Sequence, residues 1–324
     1  MNIESLIQQL REKKGLRAKK DIQPAARIFP HQPFPNLGQA ALLGDDAAVL
    51  PAQKGKLLVA CEGMHPSLVA EDPWFAGWCA VLVNLSDIAA MGGRPVAVLN
   101  SIWTRRQEEI EAMLAGMQTA CERFGVPMVG GHSNQQSPYD ALSVAVLGVT
   151  EGPILSARAA EPGDELWMVF NHNGSFYKHY PFWDAATSAS GKQLRNHLEL
   201  LPTIAADNTI HAAKDISMGG ITGTTAMFAE ACGLTITLNR HAIRRPTGVN
   251  ELDWLTCFPS FGFLLAVRPS KTKSLHKQLS GTNDLTCCRI GWFSPGAAGV
   301  DLKDEDTTRT LWRSNEGLTG FGCA

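Results

Sequence analysis

The chain has 324 residues, which is long for one compact core, so two domains are expected. Its 29 Lys and Arg nearly balance its 31 Asp and Glu, and this excludes the strong positive charge that is typical of nucleic-acid-binding proteins. The 30 Gly and 18 Pro favour a loop-rich α/β enzyme over a helical bundle, and no apolar run is long enough to span a bilayer.

Residues 2–13 have the apolar spacing of an amphipathic helix, with Asn2 at the position of the N-cap. No hydrophobic signal-peptide core is present at this end, which favours a cytoplasmic protein. A basic stretch, residues 13–20, follows the helix. Such a stretch is usually a solvated surface, but Lys19 and Lys20 are also candidates to swing over a bound triphosphate.

Two acidic stretches occur in the first third of the chain, GDDAAVL at residues 44–50 and NLSDIAAMGG at residues 84–93. Each places a carboxylate among small and apolar residues, where an unpaired charge is costly to desolvate. Several carboxylates together suit Mg²⁺, which prefers oxygen ligands, and Mg²⁺ held in this way usually serves phosphate chemistry. Either stretch alone is also compatible with a turn and a capping Asp.

Local signals place the second acidic stretch on a helix. An apolar run at residues 57–60 predicts a strand that leads into Glu62. Asp72 as the N-cap and Pro73 at the first helical position then predict a long helix, and its last turns carry Asp87.

A capping-box pattern at residues 104–107 predicts the start of another helix, which is expected to stop at Gly125. The glycines of GGHS, residues 130–133, predict a turn, and residues 141–150 predict a strand. The chain changes character around residues 152–153, where we place a domain boundary.

The second half of the chain repeats the mixture of strands and helices. Strands are predicted at residues 165–170, 234–239, 261–267 and 286–293, and helices at residues 222–232 and 270–281. The polar tail from about residue 304 is predicted to be irregular. Both halves therefore have the pattern of α/β layers. The predicted division is an N-terminal domain at residues 1–153, a C-terminal domain at residues 154–305 and a tail at residues 306–324.

Several common signatures are absent from the chain. The eight Cys form no C-x-x-C pair and no Cys/His zinc spacing, which predicts reduced, mostly buried thiols. No P-loop, no G-x-G-x-x-G fingerprint and no G-x-S-x-G elbow is present. An ATP-using chain of this kind must therefore hold the phosphates through metal ions and carboxylates.

The motifs occur in a characteristic order: GDDAAVL, a strand that ends in an acidic residue, NLSDIAAMGG, VGGHS and DISMGGI. This order resembles the superfamily of aminoimidazole-ribonucleotide (AIR) synthase, thiamine-monophosphate kinase, selenophosphate synthetase and HypE. The resemblance extends from about residue 40 to about residue 295. It implies a two-domain PurM-like α/β fold, a homodimer formed through the N-terminal sheet, and Mg²⁺ and ATP bound among acidic residues. It also implies phosphoryl transfer to a small-molecule substrate.

The resemblance also implies roles for individual residues. The implied metal ligands are Asp46, Glu62, Asp87 and Asp215, of which Asp46 and Asp215 also serve the transfer step. The implied nucleotide-binding residues are Asp45, Arg158, Gly130, Gly131, Gly219 and Gly220, to which we add Lys19 and Lys20. His132 is expected to donate a hydrogen bond to phosphate as a catalytic residue.

The chain departs from its relatives at four positions. Glu62 stands where many relatives have Asp, and His132 stands where thiamine-monophosphate kinases have an acidic residue. Met218 replaces the second Asp of the kinase sequence DISDGL, which argues against thiamine phosphate as the substrate. The first Cys is Cys61, so the reactive N-terminal Cys or selenocysteine of a selenophosphate synthetase is not matched.

The segment 171–184 is unlike the corresponding part of these relatives and is rich in aromatic residues. His172, Tyr177, Lys178 and Tyr180 are candidates for an acceptor pocket with aromatic walls and polar orienting groups. The alternative is an aromatic plug that packs the two predicted domains together.

The favoured function is a Mg²⁺-dependent, ATP-using enzyme that phosphorylates or activates an oxygen of a small metabolite. One alternative is a thiamine-monophosphate kinase-like activity. The other is a non-catalytic nucleotide-binding sensor or partner subunit.

Overall fold

A computed structural model of the chain describes residues 1–17, 48–51, 55–134 and 137–322. Four predicted site residues lie outside this description: Lys19, Lys20, Asp45 and Asp46. The described residues form two compact units. Unit 1 contains residues 1–17, 153–187 and 204–322, and unit 2 contains residues 48–51, 55–134, 137–152 and 188–203. These units differ from a single division at residue 153 because the N-terminal residues group with unit 1 and residues 188–203 group with unit 2.

Unit 2 is a five-stranded sheet with helices on one face. The strands are β1 (Ala48–Pro51), β2 (Lys56–Gly63), β3 (Arg94–Trp103), β4 (Met128–Asn134) and β5 (Ala141–Thr150), in the order β1-β2-β5-β3-β4. Only the β3–β4 pair is parallel in this sheet. The helices are α3 (Pro66–Glu71), α4 (Pro73–Ala90), α5 (Gln107–Phe124) and α6 (Gly191–Leu198). Burial alternates strictly along β5, so the helices cover one face of the sheet and leave the other more exposed.

The helix α4 begins and packs as its sequence requires. Asp72 caps it by accepting a hydrogen bond from the Phe75 backbone N–H at 3.2 Å, which confirms the predicted N-cap. A Cβ on Gly77 would lie 2.1 Å from the Met113 carbonyl oxygen of α5, so glycine lets the two helices touch backbone to backbone. The helix α5 ends at Gly125 in the left-handed conformation, as predicted.

Unit 1 contains a seven-stranded and a three-stranded sheet. The large sheet has the order β15-β14-β10-β13-β6-β12-β9, and the small sheet has the order β11-β8-β7. The strands are β6 (Glu165–Asn171), β7 (Ser175–Phe176), β8 (Phe182–Asp184), β9 (Ala212–Asp215), β10 (Thr235–Asn239), β11 (Phe258–Pro259), β12 (Gly262–Val267), β13 (Leu285–Ser294), β14 (Gly299–Asp304) and β15 (Thr307–Arg313). The helices are α1 (Ile3–Glu12), α2 (Lys14–Arg17), α8 (Gly220–Cys232), α9 (Glu251–Leu255) and α10 (Thr272–Leu279), and α7 (Leu200–Ala206) crosses the unit boundary.

The N-terminal helix α1 is part of the hydrophobic core of unit 1. Asn2 caps it by accepting from the Ser5 N–H at 2.8 Å, which confirms the prediction. Its apolar face is buried together with residues from the large sheet and α8, in the set Ile3, Leu6, Ile7 and Leu10. The polar face remains exposed, as an amphipathic helix requires.

Three local predictions were wrong. Residues 130–133 are not a turn but part of β4, where each pairs with a residue of β3, and this pairing outweighs the turn preference of glycine. Thr104 is not the N-cap of α5, because Arg106 holds that position and Thr104 Oγ1 accepts from the Arg106 N–H at 3.1 Å. The tail is not irregular throughout, since β15 pairs with β14 on both sides of a register shift between Val300 and Asp301.

Within the described residues, none of the helices has both the length and the apolarity needed to cross a membrane. The cytoplasmic location stays a prediction.

Candidate functional site

Asp87 is a buried carboxylate in the last turn of α4. Its residue is only 6% exposed, and its carbonyl accepts from the Met91 N–H at 3.2 Å where the helix ends. The helix leaves this turn through Gly92, which has a φ of 76°. The predicted position of Asp87 at the end of this helix is therefore confirmed, and α4 holds its carboxylate in a buried position, where an unpaired charge is costly.

Asn84 lies one turn before Asp87 on the same face of α4. It is completely buried, and its Nδ2 donates to the Ala80 carbonyl at 2.8 Å. Its Oδ1 is buried and accepts no hydrogen bond from the described residues. A carboxamide oxygen is a good ligand for a hard cation and a good acceptor for a bound group. Sequence reasoning did not select Asn84, because a buried Asn cannot be distinguished from a capping Asn without the structure.

Glu62 is exposed near the end of β2, where it pairs with Val144 of β5. Its side chain is on the face of the sheet that α4 covers, because Val144 is buried on that face. Ile88, the neighbour of Asp87, packs beside Leu58 of β2, since a Cβ on Gly93 would contact both side chains. Glu62 follows Leu58 by four residues, or roughly 13 Å along the strand. Glu62 and Asp87 therefore lie on two elements that contact each other, β2 and α4. Glu62 lies further along β2 than Leu58, which packs beside the end of α4.

His132 is exposed on β4, the edge strand of the unit 2 sheet. It is in one cross-strand row with Ser101, Ser143 and Gly63. Three strand spacings separate it from Gly63, or about 14 Å. The structure therefore places His132 at the same end of the sheet as Glu62 but not in contact with it.

Gly130 and Gly131 belong to the same edge strand. A Cβ on Gly131 would lie 2.6 Å from Asn100 Oδ1 and 2.7 Å from its carbonyl oxygen, so this position accepts only glycine. Gly131 thus lets β4 lie close to β3. This packing requirement explains Gly131 without reference to a ligand.

Asp215 ends β9 and opens a tight strand-to-helix turn in unit 1. It is 5% exposed and pairs with Phe263 of β12. The following Ile216 N–H donates to the Gly262 carbonyl at 2.9 Å, and the Ser217 N–H donates to Thr224 Oγ1 at 3.1 Å. The helix α8 starts directly after this turn. Its first backbone N–H groups and the positive end of its dipole therefore lie at the turn.

The backbone around this turn leaves little room for a side chain at its two glycines. Gly220 has a φ of 65°, and a Cβ there would lie 2.4 Å from Thr256 Cα. Gly219 precedes it as the N-cap of α8, and a Cβ there would lie 3.0 Å from Gly223 Cα. Met218, in contrast, is 48% exposed at the tip of the turn.

Arg158 lies in a short 3₁₀ turn, Ala157–Ala159, which packs against β9 and α8. Its Nη2 donates to the Phe321 carbonyl oxygen at 2.9 Å. The structure therefore puts Arg158 beside the elements that carry Asp215, with its guanidinium engaged by the C-terminal backbone.

The aromatic segment 171–184 forms β7, β8 and the loop between them. The rings of Tyr177 and Tyr180 are stacked with centroids 6.3 Å apart and an interplanar angle of 19°, and the Lys178 ammonium lies 5.3 Å from the Tyr177 centroid. Lys178 has a φ of 52°, which non-glycine residues seldom adopt. His172 Nδ1 is 3.0 Å from Thr286 Oγ1.

This segment is joined to the Asp215 turn through β11. Phe258 of β11 pairs with Phe182, and a Cβ on Gly220 would contact Leu255 and Thr256 just before β11. The aromatic segment and the Asp215 turn therefore lie on adjoining parts of unit 1.

Sequence reasoning missed a cluster of three titratable side chains in unit 1. Within the described ranges, Glu161, Asp164 and His211 form the one group whose metal-ligand-type atoms lie within 4.8 Å of one another. Asp164 Oδ2 accepts from the Glu161 N–H at 2.7 Å and lies 2.8 Å from His211 Nε2. Glu161 also pairs with Arg268 at 3.0 Å. These contacts join the residues just before β6 to the residue just before β9. No local pattern predicts them, because His211 is distant from Asp164 along the chain.

The described cysteines are free thiols, and Cys61 is the exposed one among them. Burial of its sulfur and the adjacent charge of Glu62 raise the pKa of the Cys61 thiol. A raised pKa keeps the sulfur protonated and therefore a poor nucleophile. The exposure of Cys61 departs from the prediction of buried thiols, whereas most of the other described cysteines are buried.

A family model described as AIR synthase related protein, N-terminal domain, matches residues 44–150, and the corresponding C-terminal domain matches residues 161–303. A relative from Synechocystis sp. is 43% identical over 98% of both chains. The chain belongs to the AIR synthase-related family. This confirms the predicted resemblance and the PurM-like two-domain α/β fold.

Other members of the family are ATP-using kinases. The selenide, water dikinase of Burkholderia pseudomallei is 27% identical over 70% of this chain and 66% of its own length. The thiamine-monophosphate kinase of Bacillus subtilis is 33% identical over 39% of this chain and 42% of its own length. This chain is thus related to ATP-using kinases.

Solved structures share the fold at low identity. T. maritima PurL complexed with ATP has a TM-score of 0.75 at 14% identity, and the match covers 95% of this chain and 51% of PurL. AaThiL complexed with AMPPCP and TMP has a TM-score of 0.61 at 20% identity and covers 83% of this chain and 92% of that chain. This chain therefore spans about half the length of PurL and most of AaThiL, and both of those proteins bind adenine nucleotides.

Proposed function

We propose that this AIR synthase-related protein is a Mg²⁺-dependent enzyme that transfers the γ-phosphoryl group of ATP to an oxygen of a small metabolite. The observation that carries the proposal is that each unit holds a buried carboxylate where a helix or strand ends, Asp87 in unit 2 and Asp215 in unit 1. Buried carboxylates of this kind are suited to divalent cations. The acceptor oxygen forms a bond to the γ-phosphorus while the bond to the β,γ-bridging oxygen breaks, and ADP leaves.

The residues have distinct parts in this proposal. Asp87 and Glu62 in unit 2, together with Asp46, are the ligands proposed for Mg²⁺, and Asp45 assists them. Two cations would neutralise much of the charge on a triphosphate during transfer.

The Asp215 turn is proposed to serve the phosphates from unit 1. Asp215 contributes a further carboxylate for metal, and the N–H groups at Gly219 and Gly220 begin a helix, where anions are stabilised. Arg158 is proposed as a nearby cation for phosphate oxygens. His132, with Gly130 and Gly131, is proposed as a hydrogen-bond donor to phosphate.

Substitution of Asp87 tests the metal assignment. Asp87→Asn is expected to weaken MgATP binding at least tenfold, because the neutral amide loses the charge that attracts Mg²⁺. Asp72→Asn is the matched control on the same helix, since Asn caps a helix as well as Asp does. Binding is measured by calorimetry at several Mg²⁺ concentrations. Equal affinity of the two variants would remove Asp87 from the metal site, and no MgATP binding by the wild-type protein would end the proposal.

Turnover distinguishes an enzyme from a nucleotide-binding partner subunit. The non-catalytic alternative rests on His132, which stands where thiamine-monophosphate kinases have an acidic residue. ADP release is measured with thiamine monophosphate and with amide, carbonyl and phosphate-bearing metabolites. ADP release with one of these acceptors supports the enzyme, and release with thiamine monophosphate supports a thiamine-monophosphate kinase-like activity. Tight ATP binding without turnover on the whole panel supports the sensor.

The aromatic segment is proposed as the acceptor site. The stacked Tyr177 and Tyr180 offer a flat surface, and Lys178 offers a cation beside it. His172, which contacts Thr286, is a further polar group of the same segment. Tyr180→Leu is expected to raise the KM for the acceptor more than it lowers kcat. Tyr139→Leu is the control, because Tyr139 is the one tyrosine of the chain outside the aromatic segment and is 61% exposed in unit 2. Equal KM values for the two variants would show that the segment only packs the fold.

A homodimer is proposed to form through the uncovered face of the unit 2 sheet. Val59 and Leu99 are 38% and 43% exposed there and pair with Leu147 and Ala145. Apolar side chains on an open sheet face are typical of an interface. Leu99→Lys is expected to halve the mass measured by light scattering, whereas Leu114→Lys, at an exposed leucine on α5, is expected to leave it unchanged. A monomeric wild-type protein would refute the dimer.

A further inference from the structure

The hydrogen bond of the Asn84 side chain lies within its own helix. Asn84 is completely buried in α4, and its Nδ2 donates to the Ala80 carbonyl oxygen at 2.8 Å. In a regular α-helix that carbonyl also accepts the backbone N–H of Asn84, so the side chain adds only a second bond to the same oxygen. The amide of Asn84 therefore joins α4 to no other element in the described part of unit 2.

The same hydrogen bond fixes the orientation of the amide. If the amide were turned over, Oδ1 would take the place of Nδ2 and face the Ala80 carbonyl oxygen, and two acceptors repel each other. Oδ1 is therefore the atom that stays buried with no donor among the described residues. A buried acceptor without a donor destabilises a fold, and an apolar side chain of similar size avoids this loss. Packing alone does not explain an asparagine at this position.

Asp87 follows Asn84 by three residues on the same helix. Side chains at this spacing lie on one face, with Cβ atoms roughly 5–6 Å apart, so their ends can reach one ion. Asp87 is also buried, and an ionised carboxylate accepts hydrogen bonds but donates none. The carboxylate and Asn84 Oδ1 are thus two neighbouring acceptors. A single group that binds both is a cation or a double donor such as water.

A hard divalent cation such as Mg²⁺ fits these two oxygen ligands. Mg²⁺ is bound by oxygen atoms and keeps several water molecules, whereas Zn²⁺ in proteins is held mainly by nitrogen and sulfur. The carboxamide supplies an oxygen without a second negative charge, which would be costly to desolvate in a buried site. A neutral oxygen beside one carboxylate is therefore a suitable part of a Mg²⁺ site.

We propose that Asn84 Oδ1 is a ligand of the Mg²⁺ at Asp87. The inference rests on the proposed function, which puts Mg²⁺ at Asp87, and it adds a neutral ligand to the carboxylates assigned there. Both residues belong to α4, so the pair is complete within unit 2. The competing explanation is a water molecule that bridges the two acceptors without a metal ion, and metal affinity decides between the two.

Substitution of Asn84 by leucine is the direct test. Asn84→Leu keeps the approximate size of the side chain and removes Oδ1. The Kd for Mn²⁺, a paramagnetic probe that prefers the same oxygen ligands, is expected to rise about tenfold or more. Electron paramagnetic resonance measures the free Mn²⁺ in a titration of the intact protein. An unchanged Kd would overturn the inference and leave the bridging water.

Thr225→Val is the matched control in unit 1. Thr225 is also completely buried, and its Oγ1 donates to the carbonyl oxygen of Ile221, four residues before it, at 2.7 Å. Its replacement removes a buried polar group of the same kind at a distance from Asp87, so the Kd for Mn²⁺ is expected to stay as in the wild-type protein. An equal loss of affinity in Thr225→Val and Asn84→Leu would assign the effect to the fold and overturn the inference.

Asn84→Asp tests whether an oxygen atom at this position is sufficient. It keeps an oxygen ligand and adds a negative charge, so its Kd for Mn²⁺ is expected at or below that of the wild-type protein. A packing role would not be rescued by a buried carboxylate. A Kd that rises in Asn84→Asp would contradict the inference, and this variant provides the test if Asn84→Leu does not fold.

The stability of the metal-free protein gives a readout that is independent of binding. Without divalent cations, the urea midpoint of Asn84→Leu is expected at or above that of the wild-type protein, because the buried acceptor is gone. A lower midpoint would show a structural role and overturn the inference. Failure of the wild-type protein to bind Mn²⁺ would count against the proposed function. Weaker binding in Asp87→Asn but not in Asn84→Leu would count against this inference alone.

Discussion

Replacing Gly220 with alanine is expected to destabilise unit 1 by an amount that can be worked out from two contributions. Gly220 has a φ of 65°, and an L-residue in this conformation costs about 1–2 kcal/mol. The new Cβ would also lie 2.4 Å from Thr256 Cα and 2.5 Å from the Leu255 carbonyl oxygen. These are backbone atoms that cannot rotate away, and overpacking of this kind costs about 1–3 kcal/mol. The sum is about 2–5 kcal/mol.

This loss is large against the stability of an ordinary domain, which is about 5–15 kcal/mol. With a urea dependence of about 2–3 kcal/mol per molar, the unfolding midpoint of Gly220→Ala is expected about 1–2 M below that of the wild-type protein. Urea unfolding followed by tryptophan fluorescence measures this shift, and Trp254 is buried in the core of unit 1 beside the affected contact.

Two glycine variants calibrate the measurement. Gly281→Ala is expected to stay within about 0.5 kcal/mol of the wild-type protein, because nothing lies within 4 Å of its Cβ. Gly219→Ala has an ordinary φ of −73° and a nearest contact at 3.0 Å, so an intermediate effect is expected. If Gly220→Ala and Gly281→Ala unfold at the same midpoint, the turn after Asp215 is not held by the backbone contacts described here.

Three further substitutions test other parts of the structure. The hydrogen bonds from Arg240 lower the pKa of Glu251 despite its burial. The pair therefore stabilises the fold above about pH 4.5, and this stability is lost as the pH falls through the lowered pKa. Glu251→Gln should lower the urea midpoint at pH 7, and its difference from the wild-type protein should shrink as the pH falls below the ordinary range of a glutamate. Glu62→Gln removes one cause of the raised Cys61 pKa and should move the pH profile of thiol modification to lower pH, whereas an unchanged profile would leave burial as the only cause. Leu6→Ala should cost about 2–5 kcal/mol in urea unfolding if α1 is part of the core, and a value below 1 kcal/mol would contradict its burial.

The sequence predicted best the elements whose signals are local. Asn2 and Asp72 mark helix starts and Gly125 marks a helix end, because caps act on backbone groups within a few residues. Asp87 was placed correctly for the same reason, since it only required the helix to continue to its predicted end.

The parts that failed depend on partners that are distant in the chain. The strand at His132 forms because β3 pairs with it, and a glycine pair in isolation indicates a turn. Residues 188–203 join unit 2 because Arg195 Nη1 donates to the Arg123 carbonyl at 2.9 Å, a contact that no local pattern reveals. Asp164 and His211 form a pair for the same reason.

The backbone conformation of the turn after Asp215 does not depend on the side chain at position 218. Its backbone is fixed by close contacts at Gly15 and Gly220, neither of which involves the side chain at position 218. Met218 is exposed at the tip, so replacing an acidic residue there leaves the backbone unaltered. We therefore expect Met218→Asp to leave MgATP affinity within about twofold of wild type, since the backbone groups that would face phosphate do not move. A rise in ADP release with thiamine monophosphate would show that the side chain selects the reaction, whereas a large loss of nucleotide affinity would show that the side chain at 218 contacts the nucleotide.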